Sequence, residues 1–284
     1  CEREGLVRAR KAIFFAAVAV LVLTCLPFGC SDSSKASKPT APRVIMTSDT
    51  ILSGMVASLL PPHRYSVRAI LPPGQCPGHY DVKLSDIEKV KGANLIVSFK
   101  DMPYMVKAGS GRGAQLLVDP RDRNWMAPDS YLYGLGFLAD RLSEFYPEDR
   151  EKIERRRKEV IEQVRSETNV LKKRIRGAGI VGRPVIASSM QRETLQWMGF
   201  HVVAEYGRPE TVSAREVVRI SRTGRDRHAI LVVDNLQSGP DVGKGIAEAV
   251  GVPHVVLTNF PSEKGYLATL EENIDAVLEA LKHQ

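Results

Sequence analysis

A thiol and an imidazole stand three positions apart at Cys76 and His79, and both side chains are good ligands for transition metals. They fall in the segment 71–86, which reads LPPGQCPGHYDVKLSD. Its Pro-Pro-Gly and Pro-Gly turn formers end any strand that precedes them and predict a loop. The chemistry that this loop offers is metal coordination. The alternative interpretation is a small buried thiol beside a surface histidine.

Regular elements on both sides are expected to hold this loop in place. The segment 65–70 predicts a strand before it. After it, Ser85 and Glu88 have the spacing of a capping box, which predicts the start of a helix, and 93–99 is a short apolar run typical of a buried strand. Ligands generally bind at the carboxyl ends of strands in open α/β sheets, so the loop stands where this architecture places a site.

The pattern PPGxxPxxYxxxxSDIxxVxxANLIV at 72–97 resembles the first metal-ligand segment of the zinc/manganese-type solute-binding proteins that serve metal ABC importers. In that family the loop usually reads Pro-Gly-x-Asp-Pro-His-x-Tyr-Glu-Pro. Aligned on Tyr80, the ligand histidine of the family falls on Gly78, and His79 lies one position later. Cys76 stands where the family has Asp. The resemblance therefore implies the family's fold and function, with an altered first ligand.

The resemblance also implies three further ligand positions, and the chain departs from the family at each of them. The family's His-x-Trp-x-x-Pro segment corresponds to 123–128, where Trp125 matches but Asn124 or Arg123 replaces the histidine. Its third histidine corresponds to 188–190, and its final acidic ligand to Thr258 or Asn259.

Read from the residues alone, Asp234 ends an apolar strand before Asn235 and is the one carboxylate well placed at a sheet edge, with a turn or helix cap as the alternative role. The soft donors that could join Cys76 and His79 are methionines. The candidate metal ligands are Cys76, His79, Asn124, Met190 and Asp234, and the candidate cleft-lining residues are Tyr80, Trp125, Met126, Ser188 and Thr258.

The first thirty residues have the pattern of an export signal. Arg8, Arg10 and Lys11 precede an apolar stretch that reaches Phe28, and Gly29-Cys30 follows. This ending resembles a bacterial lipobox, which predicts a lipid on Cys30 and a periplasmic or cell-surface lipoprotein. A single uncleaved membrane anchor is the alternative, since about 17 apolar residues approach the length needed to span a bilayer. The segment 31–42 predicts a flexible linker.

Composition limits the other classes of protein. The 284 residues carry a net charge of +7 that is dispersed among acidic residues without basic-aromatic alternation, so we expect no nucleic-acid partner. Of four cysteines only Cys76 lies in the predicted body, so no disulfide can form there. No Gly-x-Ser-x-Gly, P-loop, Gly-x-Gly-x-x-Gly or His-Glu-x-x-His pattern is present, which argues against an exported enzyme.

Alternation of strands and helices predicts an α/β fold with two lobes, 43–147 and 177–284, each a parallel sheet with flanking helices. A charged helical pattern at 148–176 predicts one long helix, which a coiled-coil arm could also explain. In the resembling family such a helix joins the two lobes as a backbone.

Together these features predict a monomeric, membrane-anchored solute-binding protein that holds a metal ion in the inter-lobe cleft and delivers it to an ABC permease and its ATPase. Thiolate and imidazole donors favour zinc, with manganese or copper as further candidates, and their deprotonation makes binding pH-dependent. The alternative cargo is a metal chelate or a small organic ligand, because the family's ligand positions are replaced.

Overall fold

The computed structural model describes residues 41–282. The predicted export signal at 1–30, including Cys30, and most of the predicted linker at 31–42 lie outside the described residues. Within residues 41–282, no helix combines the length and the apolar character that crossing a bilayer requires.

The first lobe is a four-stranded parallel sheet with helices in the connections. Its strands pair in the order β2-β1-β3-β4. They are β1 Arg43–Thr47, β2 Tyr65–Ala69, β3 Leu95–Phe99 and β4 Ala114–Val118, and the helices are α1 Thr50–Leu59, α2 Leu84–Lys91, α3 Pro103–Ala108 and α4 Pro128–Phe145. All five residues of the central strand β3 are buried, as expected for a strand that is covered on both faces.

The helix after the Cys76 loop begins slightly earlier than the capping box at Ser85 predicts. Lys83 is the N-cap, and the carboxylate of Asp86 accepts a hydrogen bond from its backbone N–H at 3.1 Å. Asp86 also accepts from Tyr80 Oη at 2.8 Å. The buried Asp86 therefore ties the end of the loop to the first turn of α2.

A 28-residue helix, α5 Arg150–Gly177, follows a short 3₁₀ turn at Pro147–Asp149 and connects the lobes. The fully buried Asp149 anchors its start: it accepts hydrogen bonds from Arg64 at 2.6 Å and from Tyr65 Oη at 2.8 Å. Burial opposes ionisation of Asp149, but its hydrogen bonds from Tyr65 and Lys152 outweigh burial and hold its pKa below the ordinary value. The carboxylate is therefore charged at neutral pH.

The second lobe repeats the arrangement of the first, with strands in the order β6-β5-β7-β8. The strands are β5 Pro184–Ser188, β6 His201–Tyr206, β7 Val232–Asn235 and β8 His254–Leu257, and the helices are α6 Arg192–Trp197, α7 Ala214–Asp226, α8 Val242–Val250 and α9 Tyr266–Leu281. Short 3₁₀ turns lie at Ser189–Gln191 and Pro209–Thr211. The predicted fold class, two parallel-sheet lobes joined by a long helix, is confirmed.

One hydrophobic core runs through both lobes. Its members include Ile45 and Leu135 of the first lobe, Leu171 of α5, and Val233 of the second lobe. The rings of Tyr131 and Tyr266 stack across the lobes with centroids 3.6 Å apart. The lobes are therefore joined by apolar packing on one side, and the carboxyl ends of their strands lie on the side where a cavity remains.

Candidate functional site

The cavity, called the cleft below, lies between the carboxyl ends of the two sheets and has a volume of about 730 Å³. The first lobe contributes residues at or after the ends of β2, β3 and β4, and the second lobe contributes residues at or after the ends of β5, β6, β7 and β8. Those used below are Pro77, Gly78, Phe99, Lys100, Asp101, Asp122, Arg123, Asn124, Trp125, Met190, Arg192, Glu193, Arg208, Asn235, Gln237, Asn259 and Phe260. This position agrees with the binding crevice expected of parallel α/β sheets.

The Cys76 loop reaches the cleft through the two residues between the proposed donors. Pro77 and Gly78 line the cleft, whereas Cys76 is half-buried beside it and the His79 side chain is 73% exposed. A Cβ on Gly78 would lie 3.8 Å from Cys76 Sγ and 3.0 Å from Arg208 Nη1 of the second lobe. The loop thus approaches the opposite lobe closely, and a side chain at position 78 would require the end of the Arg208 side chain to shift slightly.

His79 also faces the second lobe. Its Nε2 lies 3.8 Å from Glu210 Oε1, and its backbone N–H donates to Cys76 O at 3.2 Å in a turn. Within residues 41–282, no group of three or more His, Cys, Asp or Glu side chains is arranged to hold a metal ion. Cys76 and His79 therefore offer two donors without a preformed third one.

Asn124 bridges the two lobes through its carboxamide. Its Nδ2 lies 2.8 Å from Met190 O and 2.9 Å from Thr194 Oγ1. The same nitrogen lies 3.0 Å from Asn259 Oδ1, and its Oδ1 accepts from the backbone N–H of Met126 at 2.9 Å. Every polar atom of this amide is engaged, so Asn124 holds the lobes together and has little capacity left for a metal.

Glu193 of helix α6 completes this inter-lobe network. Its carboxylate accepts hydrogen bonds from the backbone N–H of Asn124 and from Ser130 Oγ of α4. Sequence reasoning missed Glu193, because nothing local indicates that it meets a loop about seventy positions earlier in the chain. Its position in the first helical turn after β5 is the signal that could have pointed to it.

Met190 is the candidate methionine ligand that lines the cleft. The residue is 41% exposed. Its backbone carbonyl oxygen accepts hydrogen bonds from the side-chain amides of Asn124, at 2.8 Å, and of Asn259, at 2.9 Å. Met126, the other candidate, is fully buried in the core and does not line the cleft. Its assignment as a cleft residue does not agree with the structure, because the loop turns its side chain inward before α4.

Asp234 does not reach the cleft, because strand β7 extends to Asn235. Successive side chains of a strand point to opposite faces, and here Asn235 lines the cleft while Asp234 is fully buried. The carboxylate accepts from Tyr206 Oη at 2.7 Å and from Gly243 N at 2.8 Å, and it contacts His254 Nε2 at 2.7 Å. The structure thus gives Asp234 a cap-like role at helix α8.

Three other residues that the sequence predicts to line the cleft do not line it. Ser188 is buried at the end of β5, and Thr258 Oγ1 accepts from Gln237 Nε2 at 2.7 Å. Tyr80 packs edge-on against Tyr104, and burial, followed by its hydrogen bond to Asp86, raises the pKa of Tyr80 to about 12. In the cases of Ser188 and Thr258, the next residue along the chain lines the cleft instead.

Trp125 lines the cleft, as the sequence predicts, and the residue is 4% exposed. It packs edge-on against Phe99 with centroids 4.7 Å apart. Its indole nitrogen is buried and has no hydrogen-bond partner among the described residues. Trp125 therefore forms an apolar wall of the cleft that contains an unused hydrogen-bond donor.

Gly134 of α4 makes room for this ring, since a Cβ there would lie 2.5 Å from a Trp125 ring atom. Gly134→Ala is expected to lower the free energy of unfolding by about 1–2 kcal/mol, because overpacking exceeds the gain in helix propensity. Urea unfolding measures this change. Gly54→Ala is the matched control, because its Cβ meets no atom within 4 Å. A stable Gly134→Ala variant with unchanged tryptophan emission would contradict the tight packing.

Comparison with known proteins identifies a family and solved structures that match most of the described region. Residues 45–280 match the family model described as zinc-uptake complex component A, periplasmic. No curated protein matches the chain significantly.

Solved structures share the fold at low sequence identity. The Mn-bound periplasmic metal binding protein from Candidatus Liberibacter asiaticus has a TM-score of 0.71 and 17% identity, over 84% of this chain and 99% of that chain. Its Cd-bound form gives the same values. A zinc-bound ZnuA with residues 138–173 deleted has a TM-score of 0.70 and 14% identity, over 84% and 98% of the two chains.

Proposed function

The chain belongs to the family of periplasmic zinc-uptake complex component A proteins, and from this premise we propose that it captures a transition-metal ion in its inter-lobe cleft and delivers it to an ABC permease and its ATPase. The observation that carries the proposal is the family match over residues 45–280. The position of the cleft at the carboxyl ends of both sheets supports it. Members of this family are binding components of transport complexes and not enzymes.

Zinc is the proposed cargo, with manganese or copper as the next candidates. The family description names zinc, and the solved structures with this fold contain manganese, cadmium or zinc. Cys76 and His79 are the proposed protein donors, with Met190 as a further soft donor on the opposite lobe. Thiolate and imidazole suit zinc or copper(I) better than manganese. Asn124 and Asp234 are the weaker candidates, because hydrogen bonds occupy their side chains.

Metal titration of the full chain by calorimetry tests this function. Wild type is expected to bind zinc, and Cys76→Ala combined with His79→Ala to weaken binding by at least about tenfold, since even supports of metal ligands commonly contribute that much. Binding should weaken as pH falls, because both donors must lose protons.

His63→Ala is the matched control, because this histidine is exposed and precedes strand β2, whereas the Cys76 loop follows the opposite end of that strand. It should bind zinc as wild type does. Equal zinc affinity in the double variant and in wild type would remove Cys76 and His79 from the site.

A lipid on Cys30 is the proposed means of membrane attachment, which the Gly29-Cys30 ending of the predicted export signal supports. Mass spectrometry of the mature protein tests it. Mature protein without a lipid on Cys30 would contradict it. We further propose that the protein acts as a monomer at the outer face of the membrane that holds its permease.

A further inference from the structure

The cleft lacks the donors that a bare ion needs. Within residues 41–282, no three His, Cys, Asp or Glu side chains are grouped for coordination. Asn124, at one of the positions that the family resemblance implies for a ligand, uses its amide to hold the second lobe. With Met190 as a third donor, Cys76 and His79 still leave a tetrahedral zinc ion one ligand short, and a bound small molecule can supply the missing ligand.

The cleft instead presents guanidinium groups from both lobes. Arg208 of the second lobe lines it and has no carboxylate within 4.0 Å among the described residues. Arg123 of the first lobe also lines it, lies over the Tyr133 ring at 4.8 Å, and is likewise without a carboxylate partner in residues 41–282. A guanidinium holds a carboxylate through two parallel hydrogen bonds, so arginines that line a cavity without a carboxylate partner suit an anionic ligand.

The other charges in the cleft are more nearly balanced. Lys100 and Arg192 line the cleft, but each forms an ion pair with a carboxylate that does not line it. Lys100 pairs with Asp119 at 3.1 Å, and Arg192 pairs with Glu205 at 3.4 Å. Asp101 and Asp122 also line the cleft, and a ligand that carries both carboxylates and a metal cation can satisfy both signs of charge. A purely anionic ligand would be repelled by these two aspartates.

An unpaired donor in the apolar wall points to a ligand as well. Trp125 lines the cleft, and its buried indole N–H has no acceptor in residues 41–282; a buried donor without a partner destabilises the protein. An oxygen atom supplied by a ligand would relieve this cost. Phe99 and Phe260 line the same cavity and give it apolar surface that a bare ion cannot use.

The volume of the cleft agrees with this chemistry. About 730 Å³ lies within the range of about 300–1,000 Å³ that is typical of small-molecule sites. A single metal ion with two protein donors would leave most of this space to water.

We propose that the metal enters the cleft as an anionic organic chelate, whose carboxylates bind Arg208 and Arg123 and whose metal is reached by Cys76 and His79. This inference rests on the proposed function, and it adds the chemical class of the cargo. The organic ligand supplies the donors that the protein lacks, and the two arginines close on it from opposite lobes.

Calorimetry with the full chain tests the inference with three probes: zinc alone, citrate alone, and zinc with citrate. The zinc–citrate complex is expected to bind at least about tenfold more tightly than either component. Arg208→Gln and Arg123→Gln should each reduce the ratio of zinc–citrate affinity to zinc affinity by about 10–100-fold, the usual contribution of charge-assisted hydrogen bonds.

Arg176→Gln, at an exposed position in the last turn of α5, is the matched control and should leave this ratio unchanged. Circular dichroism verifies that each variant folds. Tight binding of zinc alone without any gain from citrate would overturn the chelate inference and leave the proposed function intact. Citrate binding that is equally tight without zinc would also overturn it, and failure of every zinc-containing probe to bind would overturn both.

Discussion

Asn124→Ala is expected to lower the free energy of unfolding by about 2–4 kcal/mol, because it removes a set of hydrogen bonds that each contribute about 0.5–1.5 kcal/mol net. The lost contacts are those with Met190 O, Thr194 Oγ1 and Asn259 Oδ1 of the second lobe, and the one accepted from Met126 N. Three of these four contacts cross the cleft, so their loss weakens the attachment between the lobes.

Urea unfolding followed by circular dichroism measures this effect, with Asn169→Ala as the matched control. Asn169 is exposed on α5, where alanine has the higher helix propensity, so the control is expected to be neutral or slightly stabilising. If Asn124→Ala unfolds at the same urea concentration as wild type, the amide contacts do not stabilise the attachment between the lobes.

The geometry of this amide gives a reason for the departure from the family at position 124. A carboxamide offers two N–H donors and an acceptor, and here it meets three acceptors and one donor. Neutral histidine has one donor and one acceptor, so it cannot reproduce these contacts. Asn124 therefore makes contacts between the lobes that a histidine, the residue that the resemblance implies at this position, could not make.

Much of the fold could be predicted because apolar periodicity reflects burial directly. The segment 93–99 predicts a buried strand, and β3 Leu95–Phe99 is buried at every residue. The charged pattern at 148–176 predicts a long helix, and α5 Arg150–Gly177 buries only a narrow stripe of it. These signals are local, so a single sequence contains them.

The candidate site was less predictable, because a shift of one residue moves a side chain to the other face of a strand. Ending β7 at Val233 would leave Asp234 free, but the strand continues through Asn235 and buries the carboxylate. Glu193 and Arg208 are functional candidates only because distant segments meet them, and no local pattern encodes such contacts.

Asp49 is a buried ionisable group at the N-terminus of α1, and its acidity has a large expected effect on stability. The carboxylate caps α1, accepting from Ile51 N and Leu52 N at 3.1 Å each and from Ser48 Oγ at 2.6 Å. Burial nevertheless dominates these hydrogen bonds and raises the pKa of Asp49 to about 6. An asparagine fits the same contacts, because its Oδ1 can cap the helix and its amide can donate to Ser48.

Between about pH 4 and 6 the native state binds the Asp49 proton more strongly than the unfolded state does, so this residue's contribution to stability falls as pH rises. Relative to Asp49→Asn, wild type should lose about 2–3 kcal/mol of unfolding free energy between about pH 4 and pH 7. Urea unfolding of both proteins across this pH range measures the difference between their unfolding free energies. The contributions of the other ionisable groups cancel in this difference, because both proteins contain them. Asp226→Asn, at an exposed position in α7, is the matched control for the same chemical change. A flat difference for Asp49→Asn would mean that the Asp49 carboxylate is ionised throughout, and that its three hydrogen bonds outweigh the cost of its burial.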